Sequence, residues 1–132
     1  MRVAVDTNRL TDLFRGDLPL ALDLAGCEEV FVPLPVLAEL KAGFAGGSRR
    51  QENEAVLSSF LAKPTAKVLL PDRQTADEYA KLFVQLRNAG TPVPINDLWI
   101  AAVVLQHDLA LVTRDHHFAK IPQLQIAVLH KE

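Results

Sequence analysis

The chain has 132 residues, 49% apolar and 23% charged, with 14 Lys and Arg against 16 Asp and Glu for a formal charge of −2. That length fits one domain with a single core, residues 1–132, and the composition excludes disordered, collagen-like and low-complexity classes. The longest uninterrupted apolar run, Leu98 to Leu105, is far below the ~20 residues that span a bilayer, and Asp6 interrupts the N-terminus before a signal-peptide apolar region forms, so a cytoplasmic protein is expected.

Arg2 to Val5 is a short β-branched run ending at Asp6-Thr7-Asn8, which predicts a buried strand stopping at a polar turn. Leu10, Leu13 and Phe14 then follow helical spacing up to Gly16, and Leu20 to Leu24 predicts a second short helix before Gly26. Val30 to Val32 is the second strand. Pro33 and Pro35 mark its end and a helix start carrying the stripe Leu34, Leu37, Ala38 and Leu40, with the helix broken over Gly43, Gly46, Gly47 and Ser48. Arg49 to Ala62 predicts a further helix, Lys67 to Leu70 a third strand, and Asp72 to Asn88 a long amphipathic helix closed by Gly90. Thr91 to Ile95 reads as loop, with Asn96 as the cap of an almost wholly apolar helix from Asp97 to Gln106. Leu109 to Thr113 and Gln125 to Leu129 complete five strands. Strands alternating with helices predict a parallel sheet covered on both faces, with ligands at the carboxyl ends of the strands.

Four acids converge on that rim. Asp6 closes the first strand and Asp115 follows the fourth, while Glu39 and Asp97 lie early in helices directed there. Each alone is explained as a turn, cap or solvated residue, but together they flank apolar segments without a guaranteed basic partner. Two carboxylates ~5 Å apart repel by ~3 kcal/mol at an effective dielectric of ~20, so such a cluster needs cations or protons. Hard oxygen ligands suit one or two Mg²⁺ or Mn²⁺ ions, which activate water against a phosphodiester. Thr113 and Asn8 offer neutral hydrogen-bonding groups beside the acids, or serve simply as turn and cap residues. The formal charge leaves no global basic footprint for a nucleic-acid partner. Two divalent ions on the acids would, however, reverse its sign.

Val3-Ala4-Val5-Asp6-Thr7-Asn8, Pro35-Val36-Leu37-Ala38-Glu39-Leu40, Pro94-Ile95-Asn96-Asp97-Leu98-Trp99-Ile100-Ala101-Ala102 and Leu111-Val112-Thr113-Arg114-Asp115-His116-His117-Phe118 stand in order along the chain. In sequence they resemble PIN-domain ribonucleases, and more narrowly VapC-type toxins of bacterial toxin–antitoxin pairs. The resemblance implies a three-layer α/β/α sandwich on a five-stranded parallel sheet and an Mg²⁺- or Mn²⁺-dependent endoribonuclease. It assigns Asp6, Glu39, Asp97 and Asp115 as the acidic, metal-binding quartet and Thr113 as the neighbouring polar residue. It also implies an RNA substrate, a homodimer and a small antitoxin partner, whose tail would cross Leu10, Leu13, Phe14 and Leu37 if these are not core.

Arg49, Arg50 and Arg114 are the candidate RNA-phosphate contacts, with Arg9, Arg15 and Arg87 behind them. Adjacent histidines point to different faces, which argues against His116 and His117 as ligands, and Trp99 reads as core. The lone Cys27 permits neither an internal disulfide nor a cysteine-based zinc site. A haloacid-dehalogenase phosphatase needs a second aspartate where Asn8 stands, and a phospho-receiver needs one ending the third strand, which reads Leu69-Leu70-Pro71. The remaining alternative is a catalytically silent module of the same fold that engages only a protein partner.

Overall fold

The computed structural model describes residues 1–128. Its elements, in chain order, are β1 (Arg2–Val5), α1 (Thr7–Phe14), α2 (Leu18–Ala25), β2 (Glu29–Pro33), α3 (Leu34–Ala45), α4 (Arg50–Leu61), β3 (Ala66–Leu69), α5 (Arg73–Ala89), α6 (Ile95–Gln106), β4 (Ala110–Val112), a 3₁₀ turn (His116–Lys120) and β5 (Gln125–Ile126). The five strands form one sheet in the order β3-β2-β1-β4-β5, and every pairing is parallel. The chain first builds outward from β1 to β3 and then returns to β4. Right-handed crossovers therefore put α1–α4 on one face and α5–α6 on the other, giving the α/β/α sandwich expected from the alternation.

β1 is the central strand, and Val3, Ala4 and Val5 are fully buried because both faces are covered. The nearly all-apolar α6 supplies the other half of the core, with Ile100 to Val104 fully buried. Trp99, read from the sequence as core, is instead half-buried beside it and packs on Tyr79 of α5 with ring centroids 4.4 Å apart. Leu10 is also fully buried, so it belongs to the core and its place on a partner-facing surface is corrected. Leu13, Phe14 and Leu37 remain half-buried against the same core.

Beyond shifts of one residue at several strand and helix ends, three boundaries differ from the sequence reading. α3 runs through Gly43 to Ala45, because one helical glycine costs only ~1 kcal/mol relative to Ala and Phe44 packs onto the core. α6 starts at Ile95 behind Pro94, which has φ −55° and ψ 146°. Asn96 therefore lies inside the helix instead of capping it, since proline's fixed φ already ends the loop. β5 is two residues long; its predicted continuation stops before Ala127, whose N–H reaches Leu111 O at 2.9 Å, and Leu129 lies outside the described residues. The reversal of direction between β1 and β4 opens a crevice at their carboxyl ends. Asp6 and Thr113 immediately follow those two strands.

Candidate active site

Asp6 caps α1 and is 4% exposed. Its Oδ1 accepts the Thr7 N–H at 2.8 Å and its Oδ2 accepts the Thr113 hydroxyl at 2.8 Å. Thr113 Oγ1 in turn accepts the Asp115 N–H at 3.0 Å, so one hydroxyl fixes the carboxylate of β1 to the segment that follows β4. Asp115 caps the 3₁₀ turn through the His117 N–H at 2.9 Å. That turn carries the His117 ring back over the crevice, where Nδ1 lies 2.9 Å from Asp97 Oδ2 and 3.2 Å from Asp115 Oδ1. Asp97, Asp115 and His117 each offer a ligand atom within 4.8 Å of the others. Glu39, exposed in the second turn of α3, is drawn in by the Thr7 hydroxyl at 2.6 Å.

The electrostatics are those of an uncompensated acidic pocket. Burial pushes the Asp6 carboxyl above its usual range against the Thr113 and Thr7 hydrogen bonds, and the charges of Asp97 and Asp115 add to the push. Burial likewise raises Asp97, opposed by the His117 hydrogen bond and reinforced by Asp115 and Glu39. Among the described residues, no Lys or Arg lies within ion-pair distance of Asp6, Glu39, Asp97 or Asp115; His117 alone bridges two of them. Clustered carboxylate oxygens, with an imidazole nitrogen beside them, are a donor set that fits a divalent metal ion.

Sequence reasoning set His117 aside. Adjacent histidines face apart on a strand or a turn, and here they do: the 3₁₀ turn folds His117 inward while His116 stays exposed. Thr7 and Asp12 were also missed. Thr7 tethers Glu39, and Asp12 accepts two hydrogen bonds from Arg114, at 2.9 and 3.2 Å, and one from Arg9 at 2.9 Å. Asn8 is exposed, and no hydrogen bond of its side chain is present among the described residues. Of the three candidate RNA contacts, only Arg114 stands beside the acids. Arg49 pairs with Glu52 at 2.6 Å on the exposed start of α4, and Arg50 is exposed there. Cys27 is half-buried with its thiol pushed up by burial, which leaves it an unreactive packing residue.

A family model described as PIN domain matches residues 3–124. Ribonuclease VapC4 of Mycobacterium tuberculosis is 31% identical over 98 residues, 74% of this chain and 75% of that protein. Among solved structures, VapBC-5 from M. tuberculosis, a member of the VapBC family of toxin–antitoxin systems, superposes with a TM-score of 0.73 at 30% identity, covering 97% of this chain and 100% of that one. VapBC2 from Rickettsia felis, bound to a DNA fragment from its promoter, shares the fold with a TM-score of 0.90 at 22% identity, covering 98% and 100%. The chain belongs to the PIN-domain family, within its group of VapC ribonucleases.

Proposed function

We propose that this protein is an Mg²⁺- or Mn²⁺-dependent endoribonuclease and the toxin of a toxin–antitoxin pair. The observation that carries the reading is the buried Asp6 carboxylate, held by two hydrogen bonds and set among Asp97, Asp115 and Glu39 without a basic partner. Asp6, Asp97 and Asp115 would hold one or two ions, with Glu39 and His117 completing the donor set. A bound divalent ion supplies Lewis-acid charge beside the scissile phosphate and makes water a better nucleophile.

The chain's own residues do the rest. Thr7 and Thr113 orient Asp6, so its oxygens face the crevice without a reorganisation cost. His117 stands between Asp97 and Asp115, with Nδ1 within 3.2 Å of a carboxylate oxygen of each, and so fixes their spacing. In hydrolysis a water oxygen forms a bond to phosphorus, one bridging P–O bond breaks, and the departing oxygen takes up a proton. Arg114, fixed by Asp12 at the rim, is the RNA-phosphate contact best placed to position the strand; Arg49 and Arg50 lie farther along α4.

Solved structures similar to this chain include a toxin–antitoxin complex and a member of a toxin–antitoxin family, which supports a small antitoxin as its protein partner; the reading takes Leu13, Phe14 and Leu37 as the contacts and a homodimer as the assembly. No helix among the described residues is long and apolar enough to cross a membrane, in keeping with a cytoplasmic site of action.

Purified, antitoxin-free protein incubated with structured RNA is expected to cut it in Mg²⁺ or Mn²⁺. Cutting should cease with chelator and in Asp6→Asn and Asp97→Asn. Cleavage that persists in chelator, or that both substitutions leave intact, overturns the reading.

A further inference from the structure

A cleft of about 390 Å³ opens between α1, α3 and α4, within the ~300–1,000 Å³ range of small-molecule sites. Thr7 and Glu39 line it, and the same two residues, joined by their 2.6 Å hydrogen bond, border the acidic crevice. The cleft is thus continuous with the site where the RNA backbone would be cut. Phe14 and Phe44 form its apolar walls, and Phe14 is braced edge-on by Phe60, ring centroids 5.7 Å apart.

Two polar side chains on this cleft, Arg15 and Asn53, are unspent among the described residues. Arg2, Arg9, Arg49 and Arg114 are each paired with a carboxylate. Arg15, which lines the cleft, is exposed with no such partner, and the half-buried Asn53 makes no side-chain hydrogen bond among the described residues. Thr7 opens α1 and Arg15 caps its far end, ~12 Å away along the helix axis. A phosphate at Arg15 therefore lies clear of the repelling acids.

Aromatic walls accept a base face, an amide offers both a donor and an acceptor to a base edge, and a guanidinium takes a phosphate. Together they describe one nucleotide of an unpaired RNA strand, whose bases are open to such contacts. An apolar peptide anchor would leave Asn53 and Arg15 without a role.

We infer that this cleft is the specificity pocket of the enzyme and takes a nucleotide one or two positions from the scissile bond. The base lies against Phe14 and Phe44, its edge on Asn53 and its phosphate on Arg15. The inference rests on the ribonuclease reading above.

The test is a randomised single-stranded oligoribonucleotide pool cut in Mn²⁺ by wild type, Phe44→Ala, Asn53→Ala and Arg15→Ala, with the cut ends sequenced and melting curves confirming that each variant folds. Wild type is expected to show a base preference one or two positions from the cut. Phe44→Ala and Asn53→Ala should lose it at that one position. For Phe44→Ala, KM on a preferred sequence should rise about fivefold or more, the scale of one lost base stack, with kcat nearly unchanged. Asn53→Ala and Arg15→Ala, both changes of polar surface groups, keep the test available if Phe44→Ala does not fold. Wild type that cuts while every folded variant keeps its preference and KM overturns the pocket alone. So do variants that cut normally but no longer bind the antitoxin, which would give the cleft to a protein segment. Wild type that cuts nothing overturns the ribonuclease reading and the pocket with it.

Discussion

Replacing Thr113 by valine keeps the branched shape of the side chain and deletes one hydroxyl. That hydroxyl makes two contacts, donating to Asp6 Oδ2 at 2.8 Å and accepting the Asp115 N–H at 3.0 Å. It is the only side-chain donor that holds the buried Asp6 carboxylate among the described residues, the other contact coming from the Thr7 backbone. A hydrogen bond to a charged group contributes ~1.5–3 kcal/mol, and at ~1.36 kcal/mol per decade this corresponds to a ~10- to 150-fold loss of affinity for a divalent ion. The range overlaps the ~10- to 100-fold penalty typical when a group supporting a metal ligand is removed. Calorimetric titration of wild type, Thr113→Val and Thr113→Ser with Mn²⁺ measures it directly. Thr113→Ser keeps the hydroxyl and should bind nearly as wild type does. If Thr113→Val matches wild type, or if Thr113→Ser is as poor as Thr113→Val, the hydroxyl does not organise the site and the reasoning is refuted.

Leu10→Ala should cost ~2–5 kcal/mol by opening a cavity in a fully buried position, read as a lower urea midpoint, whereas a partner contact would leave the isolated chain's midpoint unchanged. Asp12 is held below the usual carboxylate range mainly by Arg114, with Arg9 adding to the effect and partial burial opposing it. Its stabilisation is therefore complete above its unfolded value near 3.8 and is lost as the pH falls through the lower folded value. Asp12→Asn should flatten that acid limb in pH-dependent melting, and an unchanged limb contradicts the pairing. Arg114→Ala should reduce the salt dependence of RNA binding by ~0.7 in the log–log slope, the share of one phosphate on a single strand. Arg49→Ala, on the exposed start of α4 and not beside the acids, should leave the slope in place, and equal effects would discount the rim position of Arg114.

The acids were legible because of where they stand relative to apolar runs. A buried parallel strand must end somewhere, and a carboxylate at that point, as in Val5-Asp6 or three residues beyond Val112, is set on the sheet's carboxyl rim by topology alone. Asp97 was legible for the same reason, at the head of a helix too apolar to lie anywhere but in the core. What stayed hidden depends on geometry with no period. The five-residue 3₁₀ turn that folds His117 inward has no hydrophobic repeat to announce it. The Asp12 pairing with Arg114 joins residues 102 positions apart. Leu10 looked like Leu13 on the α1 stripe, yet a difference of ~60° in direction buries one fully and leaves the other partly open. Short elements blurred too: proline geometry moved the α6 start, and Gly43 was carried inside α3 by packing that no local pattern records.

The hydrogen bond from Thr113 to Asp6 closes a loop of 107 residues. During synthesis Asp6 emerges first and waits, already on the future central strand, while α1 to α6 are made. Its anchoring hydroxyl and the acid two positions beyond come last. A ribosome-bound chain stopped before β4 carries three of the four acids but has nothing to pull Asp6 into register with them. Ribonuclease competence is thus a late event in the life of each molecule, and the machinery translating this chain is not exposed to a finished cutting site until nearly all of it has been made.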